Sequence, residues 1–454
     1  MTASRRIGII MLLFCVGISA VWSVVIRQDV HGKIRMTDLG ALYLGARCAM
    51  RHIDPYDPSA VLRELNAELQ STFLRHPAAP QNPVGFIYNI YLPVAFFLIV
   101  PFAILPWGIA QALWTLLTAA ALALAASLLW DLGAKAAPAI WICLAGCALA
   151  NCELVFAGGN VAPIAVAFSI IAVWCFMRNR YAWAGVLLLA LGLALKPNDT
   201  GFIWLYFVIA GGTLRKRALQ SFAVVAVLAV LAVIWVAPAS PHWIGELHNN
   251  LATVSAKGST SDPGPTGLTS RSAGQIIDLQ AAVSIFRDNP RFYNPISFSI
   301  AGLLILIWIF AAWKKRSSPG GAPLALAAIA VLSLLPVYHR PYDAKLLLFT
   351  IPACTMLWNG RKTIRWIALV LTSAGILITS DIPLALLVNF TNKLPIHSPT
   401  SSGKITALLL LRPAPLILLT LGCFYLWLFV RHNPPADLPQ QENAAGKPTA
   451  VQAI

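Results

Sequence analysis

Asp38, Asn160, Lys196, His339, Arg340 and Tyr342 are polar side chains placed at the ends of long apolar runs. Asp38 lies in "MTDLGALYLGARCAMRHIDPYDP" (36–58), Asn160 in "FAGGNVAP" (156–163) and Lys196 in "LALKPN" (193–198). The other three interrupt "LLPVYHRPYDAKLLLF" (334–349), beside Asp343 and Lys345. Polar groups at membrane depth are costly and often mark functional sites. An acid, several cations and aromatic rings together suit chemistry on a phosphate-bearing ligand whose tail lies in a bilayer. Cations neutralise the phosphate, a carboxylate takes a proton, and Tyr or Trp stacks on a sugar. Each group also has a plainer reading. Asp38 is an anion in the first turn of a helix, where the helix dipole favours it. Gly158-Gly159-Asn160 is a loop between spans, Lys196 snorkels to an interface, and Arg340 pairs with Asp343 across a turn.

The elements that must position these residues are read from the apolar runs. Of 454 residues, 58% are hydrophobic and 11% charged, with a mean hydropathy of +0.73. A soluble domain carries roughly a quarter charged residues, so the chain needs several membrane spans. The net charge of +16 does not indicate a nucleic-acid surface. Its basic residues cluster at span ends: Arg178 and Arg180, Arg215-Lys216-Arg217, Lys314-Lys315-Arg316, Arg361-Lys362 and Arg365. That is the positive-inside pattern. The first run, Ile7–Ile26 after Arg5 and Arg6, is long enough to span and reads as a retained anchor.

Strict alternation from those clusters predicts an all-α, polytopic membrane protein of about 12 spans with both termini cytoplasmic. The spans fall near 109–130, 137–157, 161–177, 181–196, 200–213, 219–238, 297–313, 322–337, 343–358, 364–380 and 407–430, after the first. Parity leaves Tyr88–Pro106 as an irregular segment, broken at Pro93, Pro101 and Pro106. One membrane domain covers 1–431, with external loops at 27–85 and 239–296. The second loop contains four Lys/Arg and four Asp/Glu, and its Ser-, Gly- and Pro-rich stretch 255–274 reads as mobile. Residues 432–454 read as a disordered cytoplasmic tail. No disulfide framework follows from the eight cysteines, of which only Cys48 is assigned to a polar loop. No Cys/His spacing suits zinc.

In the first external loop, Thr37 suits an N-cap with Asp38 in the first turn. Leu39, Leu42, Ala46 and Met50 at helical spacing predict a helix on the membrane surface or the protein rim. Tyr43 and Arg47 share a face, Pro55 ends the helix, and "DPYDP" turns the chain.

The stretches "DLGALYLGARCAMRHIDPYDP", "YLPVAFFLIVPFAILP", "GGNVAPIAVAF", "RYAWAGVLLLALGLALKPN" and "YHRPYDAKLLLF" occur in that order between residues 36 and 349. In order and spacing the chain resembles glycosyltransferase family 87, within the GT-C superfamily of integral-membrane sugar transferases. The resemblance implies a GT-C-like fold with external loop helices in the plasma membrane. It implies transfer of a hexose, often mannose, from a polyprenyl-phosphate donor to a glycolipid or glycan acceptor on the outer face, with inversion. The matching position for the presumed base is Asp38. Lys196, His339 and Arg340 match positions that bind the donor phosphate, and Tyr43, Arg47, Asp54 and Tyr56 match positions that shape a pocket. Asn160 stands where the family usually has glutamine, and Leu39 where an aromatic often stands beside the aspartate. No cofactor, metal or nucleic acid is implied; no carboxylates have DxD spacing, and Asp54 and Asp57 are the nearest to a pair. The competing readings are a lipid-linked sugar flippase or transporter and an inactive scaffolding homologue. Ionisable residues gathered at one face, without a detectable repeat, favour the enzyme.

Overall fold

Proline marks where the helices begin. Pro58, Pro93, Pro138, Pro197, Pro290 and Pro413 are the first residues of helices, and Pro163 and Pro323 the second. A residue without an N–H loses nothing in the first turn, where that group has no intrahelical partner. The computed structural model describes residues 3–21, 36–72, 87–150, 153–272, 275–315, 321–391 and 401–431. The expected tail at 432–454, and residues 27–35 and 73–85 of the first external loop, lie outside the described residues.

The chain runs through α1 (Ala3–Val21), α2 (Thr37–Met50), α3 (Pro58–Thr72), α4 (Pro93–Ala103), α5 (Trp107–Gly133), α6 (Pro138–Ala150) and α7 (Glu153–Gly158). Next come α8 (Ala162–Met177), α9 (Ala182–Leu195), α10 (Pro197–Ala210), α11 (Gly212–Val236), α12 (Trp243–Val254), α13 (Leu279–Val283), α14 (Pro290–Lys314) and α15 (Ala322–Leu332). A 3-10 segment, Asp343–Phe349, leads into α16 (Thr350–Met356). The last helices are α17 (Lys362–Ile378), α18 (Asp381–Thr391), α19 (Ser401–Leu411) and α20 (Pro413–Arg431). No strand occurs among the described residues.

Among the described residues, five stretches are long and apolar enough to cross a membrane: α5, α6 taken together with α7, α11, α14 and α20. α11 exposes Leu219, Phe222, Val227, Val230, Leu231 and Ile234, as a lipid-facing span must. Shorter apolar helices fill the interior. α8 is buried along nearly its whole length and packs against α5, α9 and α10, while α15 packs against α14, α16 and α20.

Tyr88–Pro106 is less broken than the prolines predict. Pro93 opens α4, Pro101 lies inside it near its end, and Pro106 is the N-cap residue of α5. α4 has 11 residues, about 16 Å at the usual rise, which is short of a 30 Å hydrocarbon core.

α8 also separates the two ends of the bundle. Asn160 precedes it and Arg178 follows it, with the 16-residue helix, about 24 Å long, between them. At the Arg178 end, Asp131 bonds Arg178 at 2.9 Å and lies 4.0 Å from Arg5. Arg217 donates to Asn179, and Lys315 donates to the carbonyls of Phe429 and Val430. The polar residues at the opposite end form the candidate site.

α2 differs from its expected placement. Leu39 to Ala46, Cys48 and Ala49 are all buried in the protein, and only Met50 of the apolar set is exposed. Gly45 permits this: a Cβ there would lie 2.5 Å from Phe96 and 3.0 Å from Asn89. The spacing of an apolar stripe does not reveal that α4 and α3 cover the rest of the helix. Cys48 accordingly lies on a buried helix and not in a polar loop. Thr37 is the first helical residue, and Met36 takes the N-cap place with φ 57°. The helix ends at Met50, before Pro55, with His52 left-handed at φ 57°.

Candidate active site

Asp38 is held at the start of α2 from two sides. Its Oδ2 accepts a 2.7 Å hydrogen bond from the Asn160 amide, and Thr37 Oγ1 lies 3.4 Å from its Oδ1. The Asn160 amide oxygen accepts from the Ala162 N–H at 2.8 Å, which fixes the amide's orientation and turns its NH2 toward the carboxylate. Gly159 makes the approach feasible. Its φ is +63°, and a Cβ would stand 2.8 Å from Met36 Cβ and 2.9 Å from Leu39 Cβ. The Met36 N–H closes the contact on Ala157 O at 2.7 Å.

The second wall is the break between α9 and α10. Pro197 pushes the preceding residue out of helical geometry, and Lys196 has φ −148° and ψ 80°. Lys196 Nζ pairs with Asp343 Oδ1 at 3.1 Å and lies 5.4 Å from the centre of the Tyr342 ring. The expected Arg340–Asp343 side-chain pair does not form. Asp343 Oδ2 accepts instead from the Arg340 backbone N–H at 2.6 Å. The Arg340 guanidinium donates to Thr260 O at 2.7 Å and lies over Tyr338 at 5.3 Å. A lysine that reaches from another helix outcompetes the local pairing because both charges are buried, and a buried carboxylate needs the partner that can enclose it.

His339 is fully buried in the turn before the 3-10 segment. Its Nδ1 faces Val337 O at 2.7 Å and its Nε2 faces Asp199 Oδ1 at 3.1 Å. The Asn198 amide nitrogen also lies 3.3 Å from Nε2, but the two shorter contacts are to oxygens that accept, which a ring protonated at both nitrogens satisfies. Burial works against that charge, but the Asp199 hydrogen bond and the fields of Asp343 and Asp199 outweigh it and raise the pKa.

Two cavities meet at Asp38. The first, about 220 Å³, is lined by Leu92, Ala95, Asn160, Leu195, Lys196 and Tyr342, among others. The second, about 280 Å³, is lined by Thr37, Tyr88, Thr260, Ser261, Thr269 and Arg340, among others. Asp38, Ile90, Tyr91 and Tyr338 line both. One carboxylate therefore lines both cavities.

Of the residues singled out from sequence, Asp38, Asn160, Lys196, Arg340 and Tyr342 come together around these cavities. Lys196 and Arg340 do not share one; each stands on a different cavity. His339 lines neither and supports the wall from behind. Tyr43 and Arg47 also line neither cavity. Arg47 pairs with Glu64 and Glu68, each at 3.0 Å, and donates to Tyr43 OH at 2.8 Å. Tyr43 in turn bonds Leu105 O. Asp54 accepts from the Tyr56 N–H at 2.8 Å; burial raises its pKa, and nearby Glu246 adds to the effect. Tyr56 OH donates to Tyr91 O at 2.7 Å, so it positions a cavity residue without touching the space. Asn250 joins the same seam through Tyr56 O and Asn89 O.

Tyr91, Tyr338, Asn198, Asp199 and Thr260 are the residues that sequence reasoning missed. Tyr91 and Tyr338 open two of the quoted stretches and Asn198 closes another, so they stood in view without a role assigned to them. Nothing local marks Thr260. It lies in the Ser- and Gly-rich stretch, which is a set of bonded turns around buried Asp262. That carboxylate accepts from the N–H groups of Gly258 and Gly264 at 2.7 and 2.8 Å. Among the described residues no group of three or more His, Cys, Asp or Glu is placed to hold a metal.

Among the described residues the chain is all helical, its several apolar helices suggest a membrane protein, and Asp38 lies between two adjoining cavities. Residues 89–337 match the family model of glycosyltransferase family 87, and the chain belongs to that family. It is therefore a glycosyltransferase and takes a sugar donor and an acceptor. The matched stretch includes Tyr91, Asn160 and Lys196 and stops short of Asp38, His339 and Arg340. No curated protein matches the chain, and no solved structure does.

Proposed function

We propose that the protein transfers a hexose, mannose in the simplest case, from a polyprenyl-phosphate donor to an acceptor hydroxyl on the outer face of the plasma membrane. The observation that carries this reading is Asp38 on the shared wall of the two cavities. The first cavity suits the donor. Leu92, Ala95, Ala194 and Leu195, from the ends of α4 and α9, give it an apolar side for the lipid. Lys196 stands where the phosphate would lie. The second cavity, lined by hydroxyls beneath the turns at 254–269, suits the acceptor.

In the reaction, an acceptor hydroxyl attacks the anomeric carbon of the donor sugar while its proton passes to the Asp38 carboxylate. The bond from that carbon to the phosphate oxygen breaks, and its electron pair leaves with the phosphate. Lys196 offsets the charge that grows there. A single displacement inverts the anomeric centre. A sugar hydroxyl is a weak acid, so orientation supplies much of the rate. Asn160 holds Oδ2 of Asp38 at 2.7 Å, and Oδ1, which has only the longer Thr37 contact at 3.4 Å, is the oxygen that takes the proton in this reading.

In this reading α1, α8, α9, α10, α15, the stretch 343–358 and α17 join the five longer helices to make about twelve passes in a GT-C-like arrangement, with α4 left out. The basic ends stay in the cytoplasm with both termini, which puts Asp38 outside. The test is transfer by reconstituted protein, with labelled polyprenyl-phosphate-mannose as donor and a membrane-lipid extract as acceptor. A labelled glycolipid with inverted anomeric configuration is the expected product. Retention of configuration, or labelled lipid crossing the bilayer without transfer, would overturn the reading.

A further inference from the structure

The cations of the two cavities are in different states. Lys196, on the first, is compensated by Asp343 at 3.1 Å. Arg340, on the second, takes part in no ion pair among the described residues. One N–H bonds Thr260 O, and Nε is enclosed without a hydrogen-bond partner. A guanidinium has five donors in a planar fork that fits carboxylate and phosphate. Asp38 acts on Arg340 only through its field, so the fork stays open to the direct anionic partner that an enclosed guanidinium favours. Around Arg340 stand neutral hydroxyl groups: Thr37, Tyr88, Tyr91, Thr260, Ser261 and Thr269. They suit a sugar and offer no competing positive charge. Asp38, the one carboxylate on this wall, bonds Asn160 and makes no ion pair with Arg340.

We propose that the acceptor carries an anionic group, which Arg340 recognises while Asp38 meets the hydroxyl to be glycosylated. This rests on the assignment of the acceptor to the second cavity. Charge and reacting hydroxyl then lie on the same or neighbouring sugar units, because one cavity of about 280 Å³ holds both Arg340 and Asp38. The rival source of an anion is the donor's own phosphate, so the two must be separated by experiment.

The full chain in lipid nanodiscs would be titrated calorimetrically, without donor lipid, with mannose, mannose 6-phosphate and mannose 1-phosphate. Wild type is expected to bind mannose 6-phosphate at least tenfold more tightly than mannose. Arg340→Gln should reduce that preference to under threefold, Arg340→Lys should keep part of it, and Lys196→Gln should leave it intact. The gain shown by mannose 1-phosphate should depend on Lys196. Equal binding of mannose and its 6-phosphate by wild type would overturn the proposal, and this comparison needs no variant to fold. Loss of the preference in Lys196→Gln but not in Arg340→Gln would also overturn it, since the phosphate would then belong to the first cavity. The measurement requires no turnover. A preference without any transfer activity would leave the anion site standing and remove the sugar-transfer reading instead.

Discussion

At the level of single residues, groups that would touch substrate differ from the groups that hold them. Asn160 is a holder. A hydrogen bond to a charged group contributes about 1.5–3 kcal/mol, so Asn160→Ala should lower kcat by about tenfold to a hundredfold. Donor KM should change little, as steady-state kinetics would show. His339 supports the wall through Asp199. Its pKa is raised in the folded protein, so its stabilisation is full below the unfolded value near 6.5. It is lost as the pH rises through the higher folded value. Thermal midpoints of the purified protein between pH 6 and 9 should therefore fall more steeply for wild type than for His339→Asn.

At the scale of elements, the site depends on two close approaches. Gly159→Ala puts a side chain at φ +63° and against Met36 and Leu39. The backbone term alone is about 1–2 kcal/mol. The variant should be less stable in a thermal melt and should lose activity as Asn160→Ala does. The second approach comes from the C-terminal helices. Arg412, between α19 and α20, is buried and donates to the carbonyls of Pro263, Gly264 and Ala281. It pins the turns that carry Thr260 and Ser261 to the second cavity. Arg412→Ala should raise acceptor KM at least fivefold and leave donor KM within twofold. These approaches explain what was legible in the sequence. Asp38, Lys196 and the 338–343 turn stand out because polar residues are conspicuous in apolar runs. Tyr43 and Arg47 stand out equally, yet their partners Glu64 and Glu68 come from α3, and nothing in their own stretch says so. Arg412 lies 149 residues from Pro263, and its role belongs to tertiary packing alone.

At the scale of the whole molecule, the chain keeps its charges at two ends of a helical bundle. One end gathers Arg5, Arg178, Arg217 and Lys315, and the other carries the two cavities. If the basic end faces the cytoplasm, an exposed residue beside the second cavity must face outward. Lys257 is 66% exposed in that region. Lys257→Cys in intact cells should react with a membrane-impermeant maleimide above the wild-type background, and Lys314→Cys only after the membrane is opened. The reverse pattern would put the cavities on the cytoplasmic side and exclude an outer-face reaction.

The most direct test is the initial transfer rate of Asp38→Asn against wild type in nanodiscs at saturating polyprenyl-phosphate-mannose. The substitution preserves size and the capacity to bond Asn160 while removing the proton acceptor. General-base catalysis contributes about a hundredfold to ten-thousandfold. The rate should fall by at least a hundredfold, with donor binding and thermal midpoint unchanged. A variant that keeps its rate within threefold would show that Asp38 is not the base.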